Sequence, residues 1–304
     1  MASRHPFGND PAKIEKYKAF WNRDPVKRPL VGFTKIGWFP LQYFSACRSW
    51  EINRHITPDM LEPEAFLDDY ERLLQEGEDF EDDILRGVCP IQVAVPCFLP
   101  AALGCRVQVL PDNVMAVEQK LSWDAALAVR LDPANPWFQK YLQIGAAMVR
   151  RAAGRYPVSH GAELGPTDLH AVLRGHNESL IDLMDAPDKC ATLLETLGHI
   201  FREFTEVIWT RLPLFHGGYF DAQYQLWAPG PIARLQEDAT AVFSPALYRR
   251  LVQPVDRMLA GHFANSFIHL HSTAMFMLDA FLEIEELRCL EINIDRTIFE
   301  HGDQ

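Results

Sequence analysis

Short apolar runs alternate along this chain with longer amphipathic stretches, and that alternation constrains the fold more than any other feature. Apolar runs bounded by Gly, Pro or Asn suit buried strands, whereas apolar residues three and four apart suit helices lying on a sheet. Serial alternation of the two predicts an α/β fold with a mainly parallel sheet. Strands are expected at 30–35, 90–96, 156–161, 216–221, within 232–238, at 266–272 and at 289–294. Helices are expected at 11–21, 63–76, 135–153, 185–211, from 245 onward and near 275–286. The helix at 185–211 takes Asp185 as N-cap and Pro187 in its first turn, with Leu193, Leu197, Ile200, Phe204 and Ile208 as its buried stripe. Pro254 falls inside the helix opened by Ser244 and Pro245 and predicts a kink there. The whole of 1–304 reads as one domain, with 103–118 as a hairpin insertion turning at Pro111, Asp112 and Asn113.

The 304 residues are 48% hydrophobic and carry a net charge of −12. That balance argues against nucleic acid or acidic membrane as a partner, because phosphates require Lys and Arg. No apolar stretch is long enough to span a bilayer, and residues 1–10 lack the apolar core of a signal peptide. The expectation is a cytoplasmic protein acting on a small molecule. Cys47, Cys89, Cys97, Cys105, Cys190 and Cys289 form no C-x-x-C pair, so they read as free buried thiols.

Two polar side chains interrupt the apolar run Ser266-Phe267-Ile268-His269-Leu270-His271-Ser272. Alternation along a strand puts His269 and His271 on one face and Ile268 and Leu270 on the other. Paired buried imidazoles need partners: a metal or anionic substrate, or hydrogen bonds within the core. The last strand repeats the pattern, with Leu290, Ile292 and Ile294 on one face and Glu291, Asn293 and Asp295 on the other. In a (β/α)8 barrel the outer strand face is apolar and the inner face carries the site at its C-terminal rim. The expected fold is therefore α/β, of the (β/α)8 TIM-barrel type. With seven strands and ten residues after Ile294, it lacks the last β/α unit.

Three stretches carry a resemblance to a known family. They are Gly165-Pro166 with Leu173-Arg174-Gly175 and Leu183-Met184-Asp185-Ala186-Pro187; Glu237-Asp238 followed by Ser244-Pro245 and Pro254; and His269-Leu270-His271-Ser272. In this order they resemble the uroporphyrinogen decarboxylase superfamily. That superfamily includes the decarboxylase, cobalamin-independent methionine synthase, and methyltransferases serving corrinoid proteins and coenzyme M. The resemblance implies a (β/α)8 barrel with its site at the C-terminal face. In the methyltransferase branch it implies zinc on a His-x-Cys pair plus a distant cysteine. His269 matches the family histidine, and His271 stands where the cysteine would be. A glutamate in methionine synthase corresponds to about Asn293, with Glu291 two residues earlier. The aromatic segment 35–48, with one Lys and one Arg, departs from the arginine-rich loop of the decarboxylase and suits a less charged ligand.

The candidate residues follow. His269 and His271 are the metal candidates, zinc being the expected ion. Asp238 and Asp221 are catalytic candidates, as proton carriers or substrate-orienting groups at strand ends. Of the adjacent pair Glu237 and Asp238, one faces inward, and the family match favours Asp238. Glu163, Tyr224, Trp227, Glu291 and Asn293 are candidates for substrate binding, with Tyr224 and Trp227 in a loop able to cover the pocket and packing as their favoured role. The acidic run 76–83 reads as a solvated helix end. His160, His170 and His176 are not distinguished from one another. Methyl transfer assisted by zinc, with a corrinoid on a partner protein, is the leading expectation. A metal-free decarboxylase or lyase and a non-catalytic binding barrel are the alternatives.

Overall fold

A computed structural model of the chain describes residues 5–34, 40–90, 97–111 and 113–294. The chain divides into two compact units, one formed by Met1–Val117, Asp132–Ala162 and Phe204–Ile232, the other by Glu118–Leu131, Glu163–Glu203 and Ala233–Gln304. The architecture is mixed α/β. Among the described residues the strands form sheets of three, two and three strands, with no closed barrel. No helix among them is long and apolar enough to cross a membrane.

In the first unit, α1 (Lys13–Asn22) is followed by β1 (His55–Ile56), α2 (Glu64–Gln75) and α3 (Phe98–Ala102). Next come β2 (Val107–Val109) and β3 (Val114–Ala116). β2 and β3 pair antiparallel in the register Val109↔Val114, and β1 adds to β2 as a third strand. The segment 30–34 is not a strand. Its amides are taken by carboxylates instead: Val31 N–H donates to Asp83 Oδ2 at 3.0 Å and Phe33 N–H to Asp82 Oδ2 at 3.1 Å. These acids correct the expectation of a solvated run at 76–83. The side chains of Asp82 and Asp83 are buried, held by Lys13 and Arg86 on one and by Lys16 and Arg28 on the other. Buried carboxylates persist only where such cations and amides compensate their desolvation. The expected strand at 90–96 and Lys35, Asp112 and Asp295 lie outside the described residues, apart from Pro90.

α5 (Pro136–Ala152) follows in this unit, after α4 (Trp123–Leu127) of the second. Asn135 caps α5, its side chain accepting from Trp137 N–H at 2.8 Å, and Pro136 sits where a missing N–H costs nothing. Of the strand expected at 156–161, one parallel bridge forms, Val88↔Val158. Ile14, Tyr17, Leu85, Cys89, Phe215, Phe220, Ala222 and Trp227 make an apolar cluster. Its polar atoms are satisfied: Tyr17 Oη accepts from Leu85 N–H and donates to the Gln225 carbonyl, and Trp227 Nε1 donates to the Phe215 carbonyl at 2.8 Å.

The second unit contains α6 (Pro166–Arg174) and α7 (His176–Asp185), neither expected from the sequence. α8 (Pro187–Trp209) runs from this unit into the first. Asp185 ends α7 rather than capping α8. Gly175 at φ 106° separates α6 from α7, a backbone that favours glycine. β4 (Tyr219–Asp221) and β5 (Leu226–Ala228) pair antiparallel in the first unit. β6 (Ile232–Gln236) leads into a 3₁₀ turn at Asp238–Val242, then α9 (Pro245–Leu251) and α10 (Gln253–His262). Pro254 does more than kink a helix: the chain breaks at Val252, and Pro254 occupies the first turn of α10. β7 (Asn265–His271), α11 (Leu278–Leu282) and β8 (Cys289–Asn293) complete the unit. Strand order is β6-β7-β8.

Beside β6 lies a buried acid pair. Glu237 Oε2 accepts from Thr167 N–H at 2.9 Å and from its hydroxyl, and Tyr248 Oη donates to Asp256 Oδ2 at 2.6 Å. Asp256 opposes the ionisation of Glu237, and the Glu237 Oε1 and Asp256 Oδ1 oxygens are buried with no hydrogen-bond partner among the described residues. Burial first, and then the charge of Asp256, push Glu237 upward; burial pushes Asp256 up to about 7. A raised folded-state value makes this contribution to stability complete below about pH 4, the unfolded Asp range, and lost as pH rises through about 7. Asp256→Asn removes the ionisable partner of Glu237 and keeps an acceptor for Tyr248. Chemical denaturation from pH 5 to 9 should show wild-type stability falling with pH and the variant flatter, more stable than wild type at the alkaline end. A separate constraint acts at Gly165, where a Cβ would overlap the Gln236 carbonyl oxygen. Gly165→Ala should cost about 2–3 kcal/mol by the same measurement, since backbone must move; an unchanged midpoint would contradict this packing.

Candidate metal centre

β7 and β8 are parallel, in the register His269↔Glu291 and His271↔Asn293. Both polar pairs therefore stand side by side on one face. Ile268 and Leu270 turn to the other face and are fully buried, each contributing about 1.5–3 kcal/mol of hydrophobic stabilisation. That burial locks the register, because a one-residue slip would exchange the faces.

The imidazoles converge through one nitrogen each. His269 Nε2 lies 3.1 Å from His271 Nε2, with the rings at 80°. Asp238 completes the group from the end of β6: Oδ1 is 3.9 Å from His269 Nε2 and Oδ2 is 3.9 Å from His271 Nε2. The three ligand atoms lie within 4.8 Å of one another. Each outer ring nitrogen has its own partner. His269 Nδ1 bonds Glu291 Oε2, and Asn293 Nδ2 is 3.4 Å from His271 Nδ1.

These contacts set the tautomers. Glu291 accepts, so His269 carries its proton on Nδ1 and presents a lone pair at Nε2. His271 then donates from Nε2, and Asn293 donates to its Nδ1. A metal ion needs lone pairs on both Nε2 atoms, which requires the His271 proton on Nδ1 and the Asn293 amide turned oxygen-first. Two ligands about 2.05 Å from a tetrahedral zinc are about 3.3 Å apart, so the imidazole pair already fits and Asp238 must move closer for one of its oxygens to complete the set. Two neutral imidazoles and one carboxylate are a good donor set for zinc, and an ion there would have three protein ligands and open positions.

Asp238 is held in place by its own surroundings. Gln236 Nε2 donates to Asp238 Oδ2 at 2.7 Å. Asp168, on α6, accepts from the amides of Asp238 and Ala239 at 3.3 and 2.8 Å. Burial, and then the charge of Asp238, push the Asp168 carboxyl up to about 8. Glu237 points away to Thr167 and Asp256, so the adjacent acids part company at the strand end.

The structure thus brings together His269, His271, Asp238, Glu291 and Asn293 of the residues singled out by sequence. Glu163 is buried in the same unit, just before α6. Asp221, Tyr224 and Trp227 belong to the first unit. Asp221 Oδ1 accepts from Tyr224 N–H at 2.8 Å, closing the turn between β4 and β5. Trp227 is on β5 within the apolar cluster rather than in a covering loop. His170 is buried and kept neutral, its pKa lowered to about 4 by desolvation. Gln236, Arg234 and Asp168 join the group from outside the sequence-based candidates. The period-two row Arg234, Gln236, Asp238 is a usable signal for the first two; Asp168 has none, being 70 residues from the amide it binds.

No protein-family model matches the chain, and no curated protein matches it. A similar solved structure is a methyltransferase from Methanosarcina mazei, with a TM-score of 0.56 over 94% of this chain and 76% of that one. At 13% identity the likeness is one of fold.

Removing Glu291 should weaken metal binding without removing a ligand, because Glu291 fixes the His269 tautomer. Competition against a chromophoric chelator should show Glu291→Ala binding zinc about 10- to 100-fold more weakly than wild type. Equal affinities would contradict the tautomer assignment.

Proposed function

We propose that the chain is a metal-dependent enzyme of the methyl-transfer class, on a (β/α)8-type scaffold like that of the uroporphyrinogen decarboxylase superfamily. The observation that carries this reading is the convergence of His269 Nε2, His271 Nε2 and the Asp238 carboxylate on one point. The fold likeness to a protein described as a methyltransferase supports it.

In this reading His269, His271 and Asp238 hold zinc. Bound there, zinc supplies Lewis acidity that keeps a substrate thiol as thiolate near neutral pH. Glu291 keeps the His269 proton on Nδ1 and so fixes the ring with Nε2 toward the metal position. Asn293 orients the His271 ring, and Gln236 holds the Asp238 carboxylate. None of the six cysteines is in a disulfide, and Cys289 on β8 is pushed up to about 11 by burial and bonds the Leu290 carbonyl. The converging donors, on His269, His271 and Asp238, are nitrogen and oxygen, and in this reading the thiol comes from substrate. A corrinoid on a partner protein is the matching methyl donor, and the cytoplasm is the matching compartment.

One observation favours a second reading. The hydrogen bonds from Asn293 through His271 and His269 to Glu291 are complete without a metal. The imidazole and carboxylate members of this chain, His271, His269 and Glu291, can pass protons, as a lyase or decarboxylase requires.

Purified protein should contain about one equivalent of zinc, absent from the His269→Ala/His271→Ala variant. With methylcobalamin and a small thiol it should form the thioether, and chelator should abolish this. Chelator-insensitive release of carbon dioxide from a carboxylic acid, by metal-free protein, would replace the first reading with the second.

A further inference from the structure

We propose that Gln236 is a positioning residue for the metal centre: it holds Asp238 as a ligand through one oxygen, and Arg234 and Asp168 complete the clamp. The inference rests on the metal reading above and specifies how the third ligand is presented.

Arg234 and Gln236 are two apart on β6 and share a face, and Asp238 continues the row just past the strand end. Arg234 and Gln236 are buried, 2% and 7% exposed. Arg234 Nη1 bonds Gln236 Oε1. A guanidinium only donates, so this contact fixes which end of the amide faces which neighbour. The Gln236 oxygen is committed to Arg234, and its NH₂ must face Asp238 Oδ2, at 2.7 Å. The amide orientation is thus determined by chemistry at both ends.

The main chain is held independently. Asp168 takes the first two amides of the turn that carries Asp238. Backbone and Oδ2 are both restrained; Oδ1 is the oxygen nearest His269, and Oδ2, which takes the Gln236 N–H, is the one nearest His271. A carboxylate with one oxygen on an amide N–H presents the other singly to a metal. The positive charge of Arg234 polarises the amide between them and strengthens that donation.

Glutamine is specific in this place. Leucine removes the donor. Glutamate keeps the volume and the contact with Arg234 but turns an acceptor toward Asp238. Asparagine is one methylene short of the span.

The test is the affinity of the full-length protein for zinc and for cobalt(II), measured by chelator competition. Gln236→Leu and Gln236→Glu should each bind about 10- to 100-fold more weakly than wild type. Asp238→Ala should bind more weakly still. The double variant Gln236→Leu/Asp238→Ala should bind no more weakly than Asp238→Ala alone, because Gln236 acts through Asp238. If Gln236→Leu fails to fold, Gln236→Glu carries the comparison, paired with Asp238→Ala in the same way. Wild-type affinity in the Gln236 variants, or losses that add in the double variant, overturns the proposal while leaving the metal centre standing. A wild-type protein that binds neither ion overturns both.

Discussion

The parallel pairing of β7 with β8 is the interaction on which the candidate site depends. Its register sets His269 beside Glu291 and His271 beside Asn293. Burial of Ile268 and Leu270 on the opposite face makes any other register costly. Hydrophobic energy on one side of the strand therefore positions polar chemistry on the other. The ring nitrogens are sorted by the same arrangement: the outer ones meet β8, and the inner ones meet each other and Asp238.

The end of β6 divides two kinds of acid. Asp238 leaves the strand toward the histidines and is half-exposed, where a cation can meet it. Glu237 turns into the interior, where burial and then the charge of Asp256 favour its neutral form. Asp82 and Asp83 of the first unit use a third solution, direct ion pairs with Lys and Arg. Carboxylates in this protein thus meet imidazoles, protonation or cations, according to what the local backbone brings near.

Much of this is legible in the sequence because strand alternation is a strict period. Alternation alone puts His269, His271, Glu291 and Asn293 on one side of their strands. The same period applied to β6 selects Arg234 and Gln236, yet it loses force at Asp238, where the strand has become a turn. Asp168 is illegible, since only the tertiary fold brings α6 to that turn. The segment 30–34 misleads because its apolar residues look like a strand, while its amides bond to distant carboxylates. Of the two aromatics after the glycines, Trp227 packs on a strand, the role favoured for it, while Tyr224 lies in the turn between β4 and β5. Helices α6 and α7 escape the expected pattern despite Pro166 at the start of one and Gly175 after it, the ordinary signals of helix limits.

The central claim is a metal centre made of two imidazole nitrogens and a carboxylate, with no protein sulfur. X-ray absorption spectroscopy of the zinc-loaded protein, in thiol-free buffer, addresses it most directly. The account predicts a first shell of nitrogen and oxygen alone at about 2.0–2.1 Å, with imidazole scattering that disappears in the His269→Ala/His271→Ala variant. A sulfur shell at about 2.3 Å, or an unchanged spectrum in that variant, would contradict it.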